Sequence, residues 1–154
     1  ILNTDFAGKF NLNIYSNTIE SVEHIAIVKG KINGTKPVAV RVHKLDYIND
    51  IFHGSLEGTI KSKPNIVRDS MIEINKLGQG VIVLIRDANP ANIVSKLNSK
   101  KNEVFSDFRE YGIGAQILRD LGVREMILLS KKHKSIIGLE GFDLKIIDYK
   151  NIES

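Results

Sequence analysis

The chain is 154 residues long and 42% hydrophobic, with 22 Lys and Arg against 18 Asp and Glu for a net charge of +4. That is enough chain to bury one substantial core, and it reads as a single domain. It holds no cysteine, which excludes disulfides, thiolate nucleophiles and every cysteine-based zinc site. No run of about 18 apolar residues offers a membrane span, and no charged-then-apolar leader opens the chain, so a soluble, cytoplasmic protein with no membrane partner is expected. Because the sequence starts at Ile1 and not at methionine, it is read as a piece of something longer, with an N-terminal partner domain expected.

The first third reads as strands. "KFNLNIY" alternates Phe10, Leu12 and Ile14 with polar neighbours, the period of a half-buried strand. "EHIAIVKG" and "VAVRVH" follow, separated by "KINGTKP", whose Asn33-Gly34 is a turn signal. Together these predict a β-meander. From Pro64 the period changes: Ile66, Val67, Met71, Ile74 and Leu77 recur at helical spacing, and Gly78 supplies the stop. Gly80 to Arg86 is a continuous apolar run of strand length followed by the loop-like "DANPAN".

"SKLNSKKNE" is polar and weakly patterned, a linker leading into "DFREYGIGAQILRDLG", Asp107 to Gly122. There Ile113, Ile117, Leu118 and Leu121 share a helix face, Gly122 ends the helix, and two glycines, Gly112 and Gly114, fall in its expected first turns. Each glycine costs a helix about 1 kcal/mol against alanine. "REMILLS" then resumes as a strand, Ile136 to Leu139 reads as a short helix or turn, and Leu144 to Asp148 as a last strand. The fold class is α+β, with N-terminal antiparallel strands followed by helix–strand units and no internal repeat.

Two features point to anions. Alternate residues of a strand share a face, so Arg41 and His43 emerge together, and a guanidinium fork matches phosphate oxygens. The competing reading is an edge strand with a solvated polar face. At the start of the glycine-bearing helix, free amides can meet an anion while glycine permits close backbone approach. The run Lys131, Lys132, His133, Lys134 suits phosphates but reads first as a solvated basic face. Nucleic acid is not expected, because the basic residues lack interleaved aromatics.

"RVH", "YGIGAQILRDLGVREMILLS" and "GLEGF", with "GKFNLNIY" and "EHIAIVKGKI", give the chain a resemblance over nearly its full length to the GTP cyclohydrolase II family of riboflavin biosynthesis. The resemblance implies that family's fold, and a place behind a 3,4-dihydroxy-2-butanone 4-phosphate synthase domain in a bifunctional protein. It also implies a zinc, held by three cysteines, that activates water to attack C8 of guanine. Asp46 stands where the first cysteine belongs, and Gly58 and Ile60 take the other two positions. No zinc or other cofactor is therefore expected. His43, Asp46, His53 and Glu57 are the nearest alternative ligand types.

By the same resemblance Asp107 and Arg109 occupy the positions of the catalytic aspartate and arginine, as relicts. Arg41, Val42 and His43 match the start of a nucleotide-contacting Arg-Val-His-Ser-Glu, with Lys44 and Leu45 replacing its last two residues. Ser130 replaces a nucleotide-contacting threonine. The phosphate-loop Glu-Gly-Arg falls on Ala88, Asn89 and Pro90, a glutamine contact falls on Lys63, and the segment carrying a catalytic tyrosine is deleted between Leu97 and Val104.

Three readings stay open at this point. The first is a catalytically inactive domain with a structural or oligomerisation role beside a synthase domain, as a homodimer. The second is a pseudoenzyme that binds GTP or another phosphate ligand. The third is a zinc-independent nucleotide hydrolase using Asp107 and Arg109.

Overall fold

A computed structural model describes residues 1–19, 21–54, 65–87, 104–130 and 140–152. Its elements in chain order are β1 (Leu2–Thr4), β2 (Gly8–Asn17), β3 (Val22–Lys29), β4 (Val38–Lys44), α1 (Tyr47–Asp50), α2 (Ile66–Leu77), β5 (Gly80–Ile85), α3 (Val104–Asp120), β6 (Glu125–Leu128), a 3₁₀ turn (Glu140–Phe142) and β7 (Lys145–Tyr149). The strands form one sheet in the order β1-β2-β3-β5-β4-β6-β7. This is the expected mixture of antiparallel strands and helix–strand units, with one correction. β4 does not follow β3 in a meander, because β5 lies between them, antiparallel to β3 and parallel to β4.

The reason lies in α2. It carries the chain from the end of β4 back to the start of β5, so those two strands must run parallel and pair as a crossover unit. The chain then returns through α3 to β6, which pairs parallel with the other side of β4. Two right-handed crossovers leading in opposite directions along a sheet require helices on opposite faces. Apolar residues accordingly form two clusters. On the α3 face, Ala26, Val28, Val38, Val40, Val81, Val83 and Ile85 pack with Ala115, Ile117 and Leu118. On the α2 face, Phe10, Ile27, Ala39, Ile82 and Leu84 pack with Met71 and Ile74. Every residue of β5 is buried, which is why its sequence is continuously apolar and does not alternate.

α2 keeps its expected bounds, and α3 begins earlier than expected. α2 ends at Gly78 as read, but Leu77 is half exposed. α3 begins at Val104, not near Asp107, so Gly112 and Gly114 stand in mid-helix and their amides are not free terminal donors. Close approach alone accounts for Gly114: a Cβ there would sit 3.0 Å from Val42 Cγ1. On the other face Gly80 is more constrained, since its Cβ would fall 2.6 Å from Ile74 Cγ1. β1 and α1 had no counterpart among the expected elements. The expected loop at "DANPAN", the linker after it and the helix or turn at Ile136 to Leu139 lie outside the described residues, apart from Asp87. No helix among the described residues is long and apolar enough to cross a membrane.

Candidate functional site

β4 and β5 are neighbouring parallel strands whose chains leave toward opposite faces of the sheet. Ligands of open parallel sheets settle in the crevice that such a divergence opens at the carboxyl ends of the strands. The C-terminal residues of β4, Arg41 to Lys44, stand at this end.

Strand alternation sorts them. Arg41 and His43 share the face of Ala39, toward α2, as the sequence predicts. Val42 points the other way and packs in the α3 cluster against Gly114. Arg41 is half-buried, and its Nη1 donates to the Leu129 carbonyl at 2.7 Å, tying β4 to the segment beyond β6. His43 Nε2 lies 2.8 and 3.0 Å from the two Asp50 carboxylate oxygens, and both side chains are nearly buried, at 13% and 11% exposure. Asp50 also accepts from the Asp46 amide at 2.8 Å. Burial pushes the Asp50 carboxyl up, but the hydrogen bonds from His43 and the Asp46 amide, with the nearby imidazoles of His43 and His53, bring it below the ordinary carboxylate range.

Asp46 caps α1: its carboxylate accepts from the amides of Ile48 and Asn49 at 3.0 and 3.4 Å. The residue in the first thiolate position is thus used to start a one-turn helix. Asp50 is a partner the sequence reading missed. Its signal was local, because an N-capping Asp46 sets a helical turn in which the residue four places on reaches back to the cap. Among the described residues no three His, Cys, Asp or Glu side chains are grouped to hold a metal. Gly58, Ile60 and Glu57 lie outside them. With no thiol in the chain and with Asp46 and His43 engaged as above, the donor set does not fit the family's zinc.

The remaining expected residues approach from other elements. α3 runs antiparallel to β4, with Gly114 over Val42, so Asp107 and Arg109 lie on its N-terminal half, over the same end of the sheet but on the face opposite Arg41 and His43. Arg109 is exposed. Ser130 follows β6 at the same end, 9% exposed, with its amide donating to the Leu128 carbonyl at 2.9 Å. The two groups of residues flank the carboxyl end of the sheet, and one face does not collect them. The run Lys131 to Lys134 lies outside the described residues.

A further polar side chain, His24, lies buried at this end of the sheet. Its Nδ1 accepts from the Arg86 amide at 3.1 Å, so Nε2 carries the proton, and that buried atom has no hydrogen-bond partner among the described residues. Burial first, and then the Arg86 charge, push the imidazole below its ordinary pKa.

The GTP cyclohydrolase II family profile matches residues 1–151. The chain belongs to the GTP cyclohydrolase II family. It is 37% identical over 162 aligned positions to the riboflavin biosynthesis protein RibBA of Bacillus cereus strain AH187, and 33% identical to RibBA of Bacillus cytotoxicus. Each alignment covers 96% of this chain and 40% of the relative, so the chain spans well under half the length of these relatives. Among solved structures it resembles RibBX of A. baumannii, a two-domain 3,4-dihydroxy-2-butanone 4-phosphate synthase, with a TM-score of 0.65 and 26% identity. That match covers 97% of this chain and 38% of the other. The chain is thus a GTP cyclohydrolase II-like domain, similar to part of longer riboflavin biosynthesis proteins and to part of a two-domain synthase.

Proposed function

We propose that this domain does not open the guanine ring and serves as a structural, dimer-forming partner of an attached 3,4-dihydroxy-2-butanone 4-phosphate synthase domain. One observation carries the reading: the position of the first zinc thiolate holds Asp46, whose carboxylate is taken up in capping α1. The absence of any cysteine removes the other two ligands, and with them the activated water that the family's hydrolysis needs. The core on both faces of the sheet is meanwhile fully developed, which suits a scaffold. The likeness to the two-domain synthase supports the choice of partner. The test is to incubate the full-length protein with GTP, magnesium and zinc and measure formate. No formate is expected, while the same preparation makes 3,4-dihydroxy-2-butanone 4-phosphate; formate above background overturns the reading.

The carboxyl-end placement of Arg41, His43 and Ser130 favours a second reading, a pseudoenzyme that binds GTP or another phosphate ligand without turnover. Release of pyrophosphate without formate would instead favour hydrolysis by Asp107 and Arg109.

A further inference from the structure

We propose that the polypeptide directly ahead of Ile1 continues β1 and fills the open edge of β2, so that the attached domain is joined through a strand of this sheet. The inference rests on the attached domain proposed above. β1 pairs with only the first residues of β2, in the register Leu2 to Phe10, Asn3 to Lys9 and Thr4 to Gly8. β2 continues to Asn17, and its remaining residues pair with β3 on one side alone. The other side of Asn11 to Asn17 has no strand partner among the described residues. An open edge of this length invites another strand.

The register says which strand fits. Each residue ahead of Leu2 meets the next residue along β2, so Ile1 faces Asn11, and the first, second and third residues ahead of Ile1 face Leu12, Asn13 and Ile14. Leu12 and Ile14 lie opposite Ile27 and Ile25, which belong to the α2-face cluster, yet they are 45% and 53% exposed. Leu2 and Phe10 show the completed form of this arrangement, since that facing pair packs into the same cluster. The first and third residues ahead of Ile1 are therefore expected to be apolar, extending the cover to Leu12 and Ile14.

The direction of the strand has a consequence for the whole protein. Moving back from Ile1, the chain travels along β2 toward Asn17, at about 3.4 Å per residue. It reaches the β2–β3 hairpin tip, where Ile19 is 88% exposed. That tip is at the end of the sheet where His24 meets Arg86. The attached domain is thereby delivered to the end that holds the candidate site, held by a strand and not by a free linker. The relatives' length, of which this chain spans 40%, leaves ample chain for it.

The test uses the full-length protein with Asn13→Cys and a second cysteine at the second residue ahead of Ile1. Under mild oxidation these two are expected to link, read as a disulfide-joined peptide by mass spectrometry. Moving the second cysteine one place, to the opposite face, is expected to lower the yield at least about ten-fold. Equal yields, or no link in either, overturn the proposal. Should the variants not fold, hydrogen exchange of the unmodified full-length protein decides: amides of Asn11 to Asn17 as slow as those of Ile25 to Val28 support the strand, and loop-like exchange overturns it. Synthase activity without the link sinks the strand alone, whereas a link in a protein that lacks synthase activity sinks the attached-domain reading.

Discussion

The His24 imidazole sits 2% exposed on the α3 face of the sheet with Nδ1 turned to the Arg86 amide. Protonation there would set two N–H groups against each other beside the Arg86 charge, so the fold holds the ring neutral. The unfolded chain takes up that proton near pH 6.5 and the folded chain only at lower pH. The contribution is fully present above 6.5 and is lost as the pH falls from there through the folded value. Asp50 acts in the same direction lower down. Its folded carboxyl titrates below the ordinary 3.8, so the His43–Asp50 pairing supports the fold above that value and is lost as the pH falls through the folded value. Urea midpoints are expected to decline as the pH falls below about 6.5 and again below about 4. His24→Gln should flatten the first decline and Asp50→Asn the second, each at a cost of about 1–3 kcal/mol at pH 7 from a lost buried hydrogen bond. An unchanged slope in His24→Gln would show that the ring titrates as it does in water.

Along α3, two glycines that look equivalent in "YGIGAQ" have different surroundings. A Cβ on Gly112 would meet only Phe142 Cζ at 3.9 Å, an ordinary contact, while one on Gly114 would press on Val42 at 3.0 Å. Gly112→Ala is therefore expected to stabilise the domain by about 0.5–1 kcal/mol through helix propensity. Gly114→Val should destabilise it by about 1–3 kcal/mol, because the extra carbons overpack the contact with β4. Thermal unfolding checks both; a destabilising Gly112→Ala would show that the close approach reaches further along the helix. The pair shows what was legible at this scale. The period of Ile113, Ile117 and Leu118 announces the helix and its buried face, but spacing cannot say which glycine meets a neighbour, because that neighbour is Val42, far back in the chain. The placement of β4 failed for the same reason. "VAVRVH" reads as a strand, but its partners β5 and β6 are chosen by the α2 and α3 crossovers, and nothing in its own residues specifies them.

At the scale of the molecule, the sheet divides the candidate residues between its faces. Arg41 and His43 were legible as a pair on one face, since strand alternation alone dictates it. Their engagement with Leu129 and Asp50 was not, because the first acceptor is a backbone carbonyl 88 residues away and the second rides on an unrecognised one-turn helix. This engagement bears on GTP. For Arg41 and His43 to grip a phosphate in the geometry that Arg-Val-His implies, the guanidinium must leave the Leu129 carbonyl and the imidazole must leave Asp50. Each charged or partly buried hydrogen bond given up offsets about 1.5–3 kcal/mol, whereas a millimolar dissociation constant corresponds to about 4 kcal/mol in all. Arg109 adds its charge from the other face and does not converge with them on one pocket wall. Calorimetric titration of the full-length protein with GTP in magnesium buffer is therefore expected to give no saturable heat at about millimolar nucleotide, at low or physiological salt. Saturable micromolar binding abolished by Arg41→Ala would mean that the ligand rearranges β4 contacts at a profit, and the phosphate-binding reading would displace the scaffold. Binding that survives Arg41→Ala but is lost in Arg109→Ala would place the nucleotide on the α3 face, away from the site that the strand geometry marks.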